Sequence, residues 1–236
     1  MPEPVGHVTE LFRYPIKSVG GEHLTQTNVT ERGLTGDRFW AVEDENGKFG
    51  SGKSTRRFRQ MNGLLNFRAF SRGETPVLVR PDGTELDAIS DEAATILSEH
   101  TGKTISVTPE RGISHFDEGA IHFITTSALS LLRDKHGSDV DVRRFRPNIV
   151  LDTGTQPRHL EADWLGQRLS IGASLVLEVA YLMPRCVMVN MAQHDLGEDN
   201  HVLKTISKIN PEVCFGAFAR VIRTGQIRLG DTAQLI

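Results

Sequence analysis

The sequence predicts a mainly β protein of the α+β class, barrel-like, with a few short helices. Three observations carry this. The chain has 22 Gly and 10 Pro among 236 residues, so turns are frequent and extended runs are short. The first third of the chain reads as successive strands separated by turn residues. Helix start and stop signals occur only in short segments further on.

The elements follow in order. "HVTELFRYPIKS" is rich in β formers and stops at Pro15, and "LTQTNVTERG" alternates until Gly33. "DRFWAVEDENGKFG" holds two extended runs around Asn46-Gly47, the dipeptide that favours a tight hairpin. "LLNFRAF", "TPVLVRPDG" and "TELDAI" continue the strands, with a turn at Pro81-Asp82-Gly83. Ser90 is placed to cap "DEAATILSEHTG", with Asp91 and Glu92 in the first turn and Gly102 as the stop. "TISVTP" is again a strand. Thr126 is placed to cap "SALSLLRDKHG", which Gly137 closes, and "NIVLD" is a short buried strand. "QRLSIGASLVLEVAYL" reads as a strand pair bent at Gly172, and "NHVLKTISKIN" as a short helix closed by Pro211. "FGAFARVIRTGQIRLGDTAQLI" is a closing meander that turns at Thr224-Gly225. A domain boundary is expected within "PERGISHFDEG", dividing the chain into 1–112 and 113–236.

Composition narrows the function. Net charge is −3 and the pI near 6.3, unlike a general nucleic-acid or membrane-surface binder. No apolar run approaches a membrane span, and the N-terminus lacks the pattern of a signal peptide. The two cysteines, Cys186 and Cys214, form no CxxC pair. They exclude a four-cysteine metal site and a disulfide framework, so a reducing, cytoplasmic location is expected.

"GKFGSGKST" matches the P-loop string through Gly47, Gly52, Lys53 and Ser54. A P-loop follows a buried parallel strand and opens a helix. Here Gly47 belongs to a hairpin, and "TRRFRQMNGLLN" has no apolar helical stripe. The stretch is expected to be a hairpin followed by a basic loop, able to meet an anion other than a nucleotide.

In "DVRRFRPNIV", Pro147 biases Arg146 toward an extended backbone. An extended chain puts Arg144 and Arg146 on one face and Phe145 on the other. Such a guanidinium pair suits phosphate or carboxylate, and it equally suits a solvated edge strand. Cys186 follows Pro184, where the chain leaves a strand, and Arg185 adjoins it. Chemistry alone leaves three roles open for Cys186: nucleophile, metal ligand or buried apolar side chain. Cys214 sits among apolar residues and reads as core. His194, Asp195, Glu198, Asp199 and His201 share one loop without helical ligand spacing, and read as a solvated acidic loop.

"LFRYPIKSVGGEHL", "GLTGDRFWAVEDENGKF", "RFRPNIVLD", "MPRC" and "FGAFARVIRTGQIRLGD" occur in one order across nearly the whole chain. In this the sequence resembles the MOSC (molybdenum cofactor sulfurase C-terminal) family, preceded by that family's N-terminal β-barrel domain. The resemblance implies a MOSC-type barrel core behind a smaller barrel-like domain. It points to the amidoxime-reducing group. There a cysteine holds molybdenum of a pterin cofactor (Mo-molybdopterin), and N-hydroxylated or N-oxide compounds are reduced. Cys186 of "MPRC" matches the molybdenum ligand. Lys17, Ser18, Arg38, Arg146 and Asn148 match cofactor-binding positions. Arg185 and the hydroxyl run Thr125, Thr126 and Ser127, at a helix N-terminus suited to an anion, are expected to join them.

The resemblance also implies a small N–O substrate. With no spare thiols, it further implies a separate electron donor, ferredoxin-like or a flavin reductase. The targeting and membrane segment of mitochondrial relatives is not expected, nor a nucleic-acid partner. At the level of the whole family it extends to pyridoxal phosphate binding. The alternative it leaves is a sulfur carrier, with a persulfide on Cys186 delivered to a metal or pterin cofactor.

Overall fold

The computed structural model describes residues 3–236. The N-terminal stretch forms β1 (Glu3–Arg13), β2 (Glu22–Leu24), β3 (Gln26–Thr30) and β4 (Gly33–Leu34). The next stretch holds β5 (Trp40–Asp44), β6 (Phe49–Ser51), β7 (Phe58–Gln60), β8 (Arg68–Arg72), β9 (Thr75–Val79), β10 (Glu85–Asp87), α1 (Asp91–Thr101) and β11 (Ile105–Pro109). β12 (Ile121–Thr125), α2 (Thr126–His136), β13 (Ile149–Asp152), α3 (Leu160–Asp163), β14 (Arg168–Ile171) and β15 (Leu175–Pro184) follow. The chain ends with α4 (Val202–Ile209), β16 (Cys214–Arg223), β17 (Gly225–Arg228) and β18 (Thr232–Leu235).

Seven strands close a barrel in the order β13-β12-β16-β15-β14-β18-β1, and β1 returns to β13 with Leu11 opposite Ile149. Closure removes the open edges that a sheet of this length would expose. β12 and β13 run parallel, so their connection must cross over, and α2 supplies the crossover. Inward side chains such as Leu11, Phe123, Ile149, Leu177 and Val179 are fully buried and form one core with Trp164. A second core joins Ile16, Val42, Leu64, Phe67 and Leu78 to Ala93 and Leu97 of α1. It fills the unit built from β5–β11. A third core lies outside the barrel, where Phe145 and Phe215 meet at 4.8 Å beneath α2 and α4.

α1, α2, α4 and the hairpin lie where the sequence places them, with two local differences, while the one-turn α3 was not expected. Ser90 caps α1 and Gly102 ends it in the left-handed region. The cap of α2 is Thr125, whose hydroxyl accepts from Ala128 N, rather than Thr126. Gly47 turns the β5–β6 hairpin at φ 70°. Behind Ser54 no helix opens, and β7 instead pairs parallel with β6. In "LLNFRAF" the strand starts late, because Leu64–Asn66 is a 3₁₀ turn entered through left-handed Gly63.

Sheet membership cuts across the expected division at residue 112. β1 closes the barrel made by the C-terminal strands, and β3 pairs with β17. The chain thus passes between barrel and second unit more than once, near Tyr14–Val19, near Asp37–Trp40 and along 110–120. Among the described residues, no helix is long and apolar enough to cross a membrane.

Phe145 is 2 % exposed and holds the third core together. Phe145→Ala is expected to cost about 3–5 kcal/mol, read as a lowered urea midpoint.

Candidate functional site

The crossing segments meet in a cleft with about 1010 Å³ of atom-free space, mouth included. Lys17 and Ser18 come from the first crossing, Arg38 from the second, and Phe116 to Gly119 from the third. The barrel contributes His122, Asn148 and Arg146, and the end of β15 contributes Met183, Pro184, Arg185 and Cys186. Ser18, Arg38 and Arg146 have φ of 61°, 49° and 54°. Left-handed backbone is unfavourable for such residues and gathers where surrounding contacts enforce it, often at functional sites.

Those contacts are visible. Asp37 is fully buried; its Oδ1 accepts from Tyr14 N at 2.8 Å and its Oδ2 pairs with Arg38. The Arg38 and Arg146 guanidiniums lie against the Tyr14 ring, at 4.7 and 4.2 Å from its centroid. Arg38 Nη2 donates to Arg146 O, and Arg146 Nη2 to Val19 O. Arg32 clamps Glu110 through two hydrogen bonds of 2.9 and 2.7 Å, and donates to the carbonyls of Asp37 and Arg38. Arg57 donates to Ser114 O and Phe116 O. The second and third crossings are thereby held.

Lys17 is 2 % exposed. Its Nζ pairs with Asp117 at 2.8 Å and lies 4.1 Å from the Phe58 ring centroid. Burial lowers its pKa to about 8, against the pull of Asp117. His122 receives Arg185 Nη2 on Nε2 at 2.6 Å, so Nδ1 carries the proton and donates to Arg146 O at 3.3 Å. Burial, then Arg185, push its pKa well below the usual range, which keeps the ring neutral. A Cβ on Gly216 would lie 2.7 Å from His122 Nε2, so that position admits no side chain. Arg185 also donates to Phe215 O and Phe145 O. Burial lowers its pKa, and negative charge on a Cys186 thiolate would act in the opposite direction.

Cys186 is half-buried and unbonded, on the cleft wall just after β15. The ladder between β15 and β16 shifts register between Leu182 and Pro184, immediately before it. Such a bulge redirects the chain out of the sheet. The loop after Cys186 is fastened by Arg144, which donates to Met191 O and Gly197 O.

This corrects the expected arginine pair. Val142–Phe145 is a 3₁₀ turn and Arg146 its left-handed cap, so extended-chain alternation does not apply. Arg144 turns to the cysteine loop and Arg146 to Tyr14. Phe145 is the expected apolar anchor.

Lys17, Ser18, Arg38, Arg146, Asn148, Arg185 and Cys186 are brought together. Thr125, Thr126 and Ser127 are not among the cleft-lining residues. Thr125 lies three residues along β12 from His122, about 10 Å at strand rise. The α2 N-terminus is already met by protein groups. Glu161 Oε1 accepts from Thr125 N at 2.8 Å, Thr126 donates to Asp152, and Thr153 Oγ1 accepts from Ser127 N.

Sequence reasoning missed Tyr14, Asp37, Asp117 and His122. Asp37 stands inside the quoted "TGDRFW", so a carboxylate beside Arg38 was the available signal; nothing local marks the others. In the acidic loop Asp195 pairs with Arg143 and Asp199 with His136. Cys214 is 7 % exposed and buried in the core. Lys53 of the P-loop-like string lines the cleft.

The comparisons agree with this architecture. The MOSC domain pattern matches residues 102–234, and the MOSC N-terminal beta barrel domain pattern matches residues 5–62. The first alone spans more than half of the chain, and the protein belongs to the MOSC family. It is similar to "Mitochondrial amidoxime reducing component 2" of Rattus norvegicus, with 25% identity over 97% of this chain and 83% of the relative. In fold it is similar to the crystal structure of the YUAD protein from Bacillus subtilis. That TM-score is 0.51 at 13% identity, covering 100% of this chain and 98% of the other.

Two outcomes are expected. A Cβ on Gly52 would lie 2.6 Å from Met188 Cγ, so Gly52→Ala should push on the cysteine loop. It is expected to cost about 1–3 kcal/mol, read by denaturant titration. Glu161 is fully buried, and burial raises its pKa from 4.5 to about 7. The folded state therefore holds its proton longer than the unfolded chain. Stability should fall as pH rises from 4.5 through about 7. Glu161→Gln should flatten this slope in urea midpoints taken across the window.

Proposed function

We propose that the cleft binds a molybdenum-pterin cofactor through Cys186. In this reading the protein is an oxidoreductase that reduces N-hydroxylated or N-oxide compounds with electrons from a separate partner protein. The observation that carries it is a half-buried thiol on a wall where cations outnumber carboxylates. Six cationic residues line the cleft, against Asp117 and Glu118. Lys17 pairs with Asp117 and Arg38 with Asp37; among the described residues Arg144, Arg146, Arg185 and Lys53 make no ion pair. A buried guanidinium without a carboxylate is costly unless an anion meets it. The donor set fits the group: a thiol suits a soft-ligand metal, and the guanidiniums suit a phosphate.

When bound, the cofactor supplies two-electron chemistry at molybdenum. The chain's own residues bind and orient. Cys186 holds the metal, and Arg146, Arg38 and Lys17 hold the anionic end. Asn148 and neutral His122 keep Arg146 and Arg185 in place: Asn148 Oδ1 accepts from His122 N, and His122 accepts from Arg185. Phe116, Met183 and Phe218 add apolar surface to the cleft wall. Removal of oxygen from N–OH takes two electrons and two protons and releases water. Lys17 Nζ, protonated at neutral pH, is the titratable donor on the wall. The similarity to the amidoxime reducing component supports the substrate class and the separate electron donor. The two free thiols suit a reducing cytoplasm.

Protein purified from a host that makes the cofactor is expected to carry about one molybdenum per chain, counted by elemental mass spectrometry. Cys186→Ser should lose the metal and turnover of an amidoxime while keeping the wild-type melting temperature. Wild-type protein that stays metal-free, or gains one sulfur on Cys186 when given a cysteine desulfurase, would favour the sulfur-carrier role instead. Lys17 loses its charge as pH rises through about 8. Sulfate, whose own charge is constant there, should bind more weakly at about pH 9 than at about pH 7 by calorimetry. Lys17→Met should abolish that difference.

A further inference from the structure

Arg146 has two pockets beside it. It lines the cleft, and with Tyr14 it lines another pocket of about 480 Å³ of atom-free space, mouth included. Phe12, Gly21 and His23 add to the walls of this other pocket, and Arg68 stands exposed at its rim. Tyr14 is 3 % exposed, and its hydroxyl is buried without a hydrogen-bond partner. A buried hydroxyl normally finds a partner, and an orphan beside a pocket marks a place for a ligand atom. Burial pushes the Tyr14 pKa far up, so the hydroxyl keeps its proton and can both donate and accept. The ring edge next to it is kept open by Gly21. A Cβ there would lie 2.5 Å from Tyr14 Cδ1 and 2.8 Å from Cε1.

The walls offer flat faces. The rings of Phe12 and His23 have centroids 4.3 Å apart, and Phe12 stacks with Tyr14 at 6.4 Å. The charges are already sorted. Arg143 is taken up by Asp141 and Asp195, and Arg146 donates to Val19 O. Arg68, among the described residues, makes no ion pair. One free guanidinium fork at the rim matches one carboxylate.

We propose that this pocket is a second ligand site, for a small aromatic carboxylate with a polar group at the opposite end of its ring. The carboxylate meets Arg68 at the rim, the ring lies among Phe12 and His23, and the far polar group meets the Tyr14 hydroxyl. The site is separate from the proposed cofactor cleft: Arg68 lines only the pocket, and Lys17 only the cleft.

The test titrates full-length protein with 4-hydroxybenzoate by calorimetry. Saturable binding is expected. Benzoate, which lacks the hydroxyl, should bind about fivefold more weakly, and phenol, which lacks the carboxylate, about tenfold more weakly. Tyr14→Phe removes a hydroxyl without a partner, so it should keep the melting temperature while making 4-hydroxybenzoate and benzoate bind alike. Arg68→Gln should likewise make 4-hydroxybenzoate and phenol bind alike. Lys17→Met should leave all three affinities unchanged. No saturable binding by the wild type would overturn the site, as would unchanged affinity for 4-hydroxybenzoate in both Tyr14→Phe and Arg68→Gln. Binding lost in Lys17→Met would place the ligand in the cleft and overturn it too. Molybdenum content reports on the cleft alone, so failure of this site and failure of the proposed function are distinguishable.

Discussion

The structure turns on the buried carboxylate of Asp37. It takes a backbone N–H from Tyr14 and a guanidinium from Arg38, and so ties the first crossing to the second. The Tyr14 ring then receives Arg38 and Arg146 together. Two like charges share one aromatic face system because Asp37 neutralises one and the ring quadrupole favours both. Arg38 accepts a left-handed backbone in this arrangement, as does Arg146, whose carbonyl thereby meets both Arg38 and His122. Strain here is offset by contacts that no single segment makes alone.

From that joint the electrostatics of the cleft follow. Arg185 is turned inward by three acceptors: the carbonyls of Phe215 and Phe145 and the neutral ring of His122. It remains near enough to Cys186 for the two to interact. Arg144, similar in sequence context to Arg146, instead fastens the loop that follows the cysteine. Basic residues thus divide between building the wall and facing the space. Lys17, held low by burial yet still charged at neutral pH, belongs to the second group. Fixed donors around a water-poor space are worth more than the same donors in solvent.

Much of the fold was legible because its determinants are local. Asn46-Gly47 made its hairpin, Gly102 and Gly137 ended their helices, and Pro184 closed its strand. Other features depend on distant partners. The division near residue 112 follows chain order, whereas sheet membership follows pairing: β1 is needed to close a barrel whose other strands lie more than a hundred residues away. The extended reading of Arg146 used the preference of a residue before proline. It was overridden by a 3₁₀ turn that Asp141 caps and Phe145 anchors. The hydroxyls of Thr125, Thr126 and Ser127 sit at a helix N-terminus as read, but Glu161, from a separate helix, already meets it.

The sequence by itself determined the β-rich class, the turns and caps, the family resemblance and a lone cysteine beside an arginine at a strand end. These rest on neighbours in the chain, where spacing fixes geometry. Only the tertiary structure decided which cations face the cysteine, which ones hold the backbone, that Asp117 and His122 line the cleft, and that Tyr14 and Asp37 hold its arginines. The physical reason is that the cleft is built by chain crossings. Its charges are placed by long-range hydrogen bonds and by burial, and neither is encoded in any one stretch of residues.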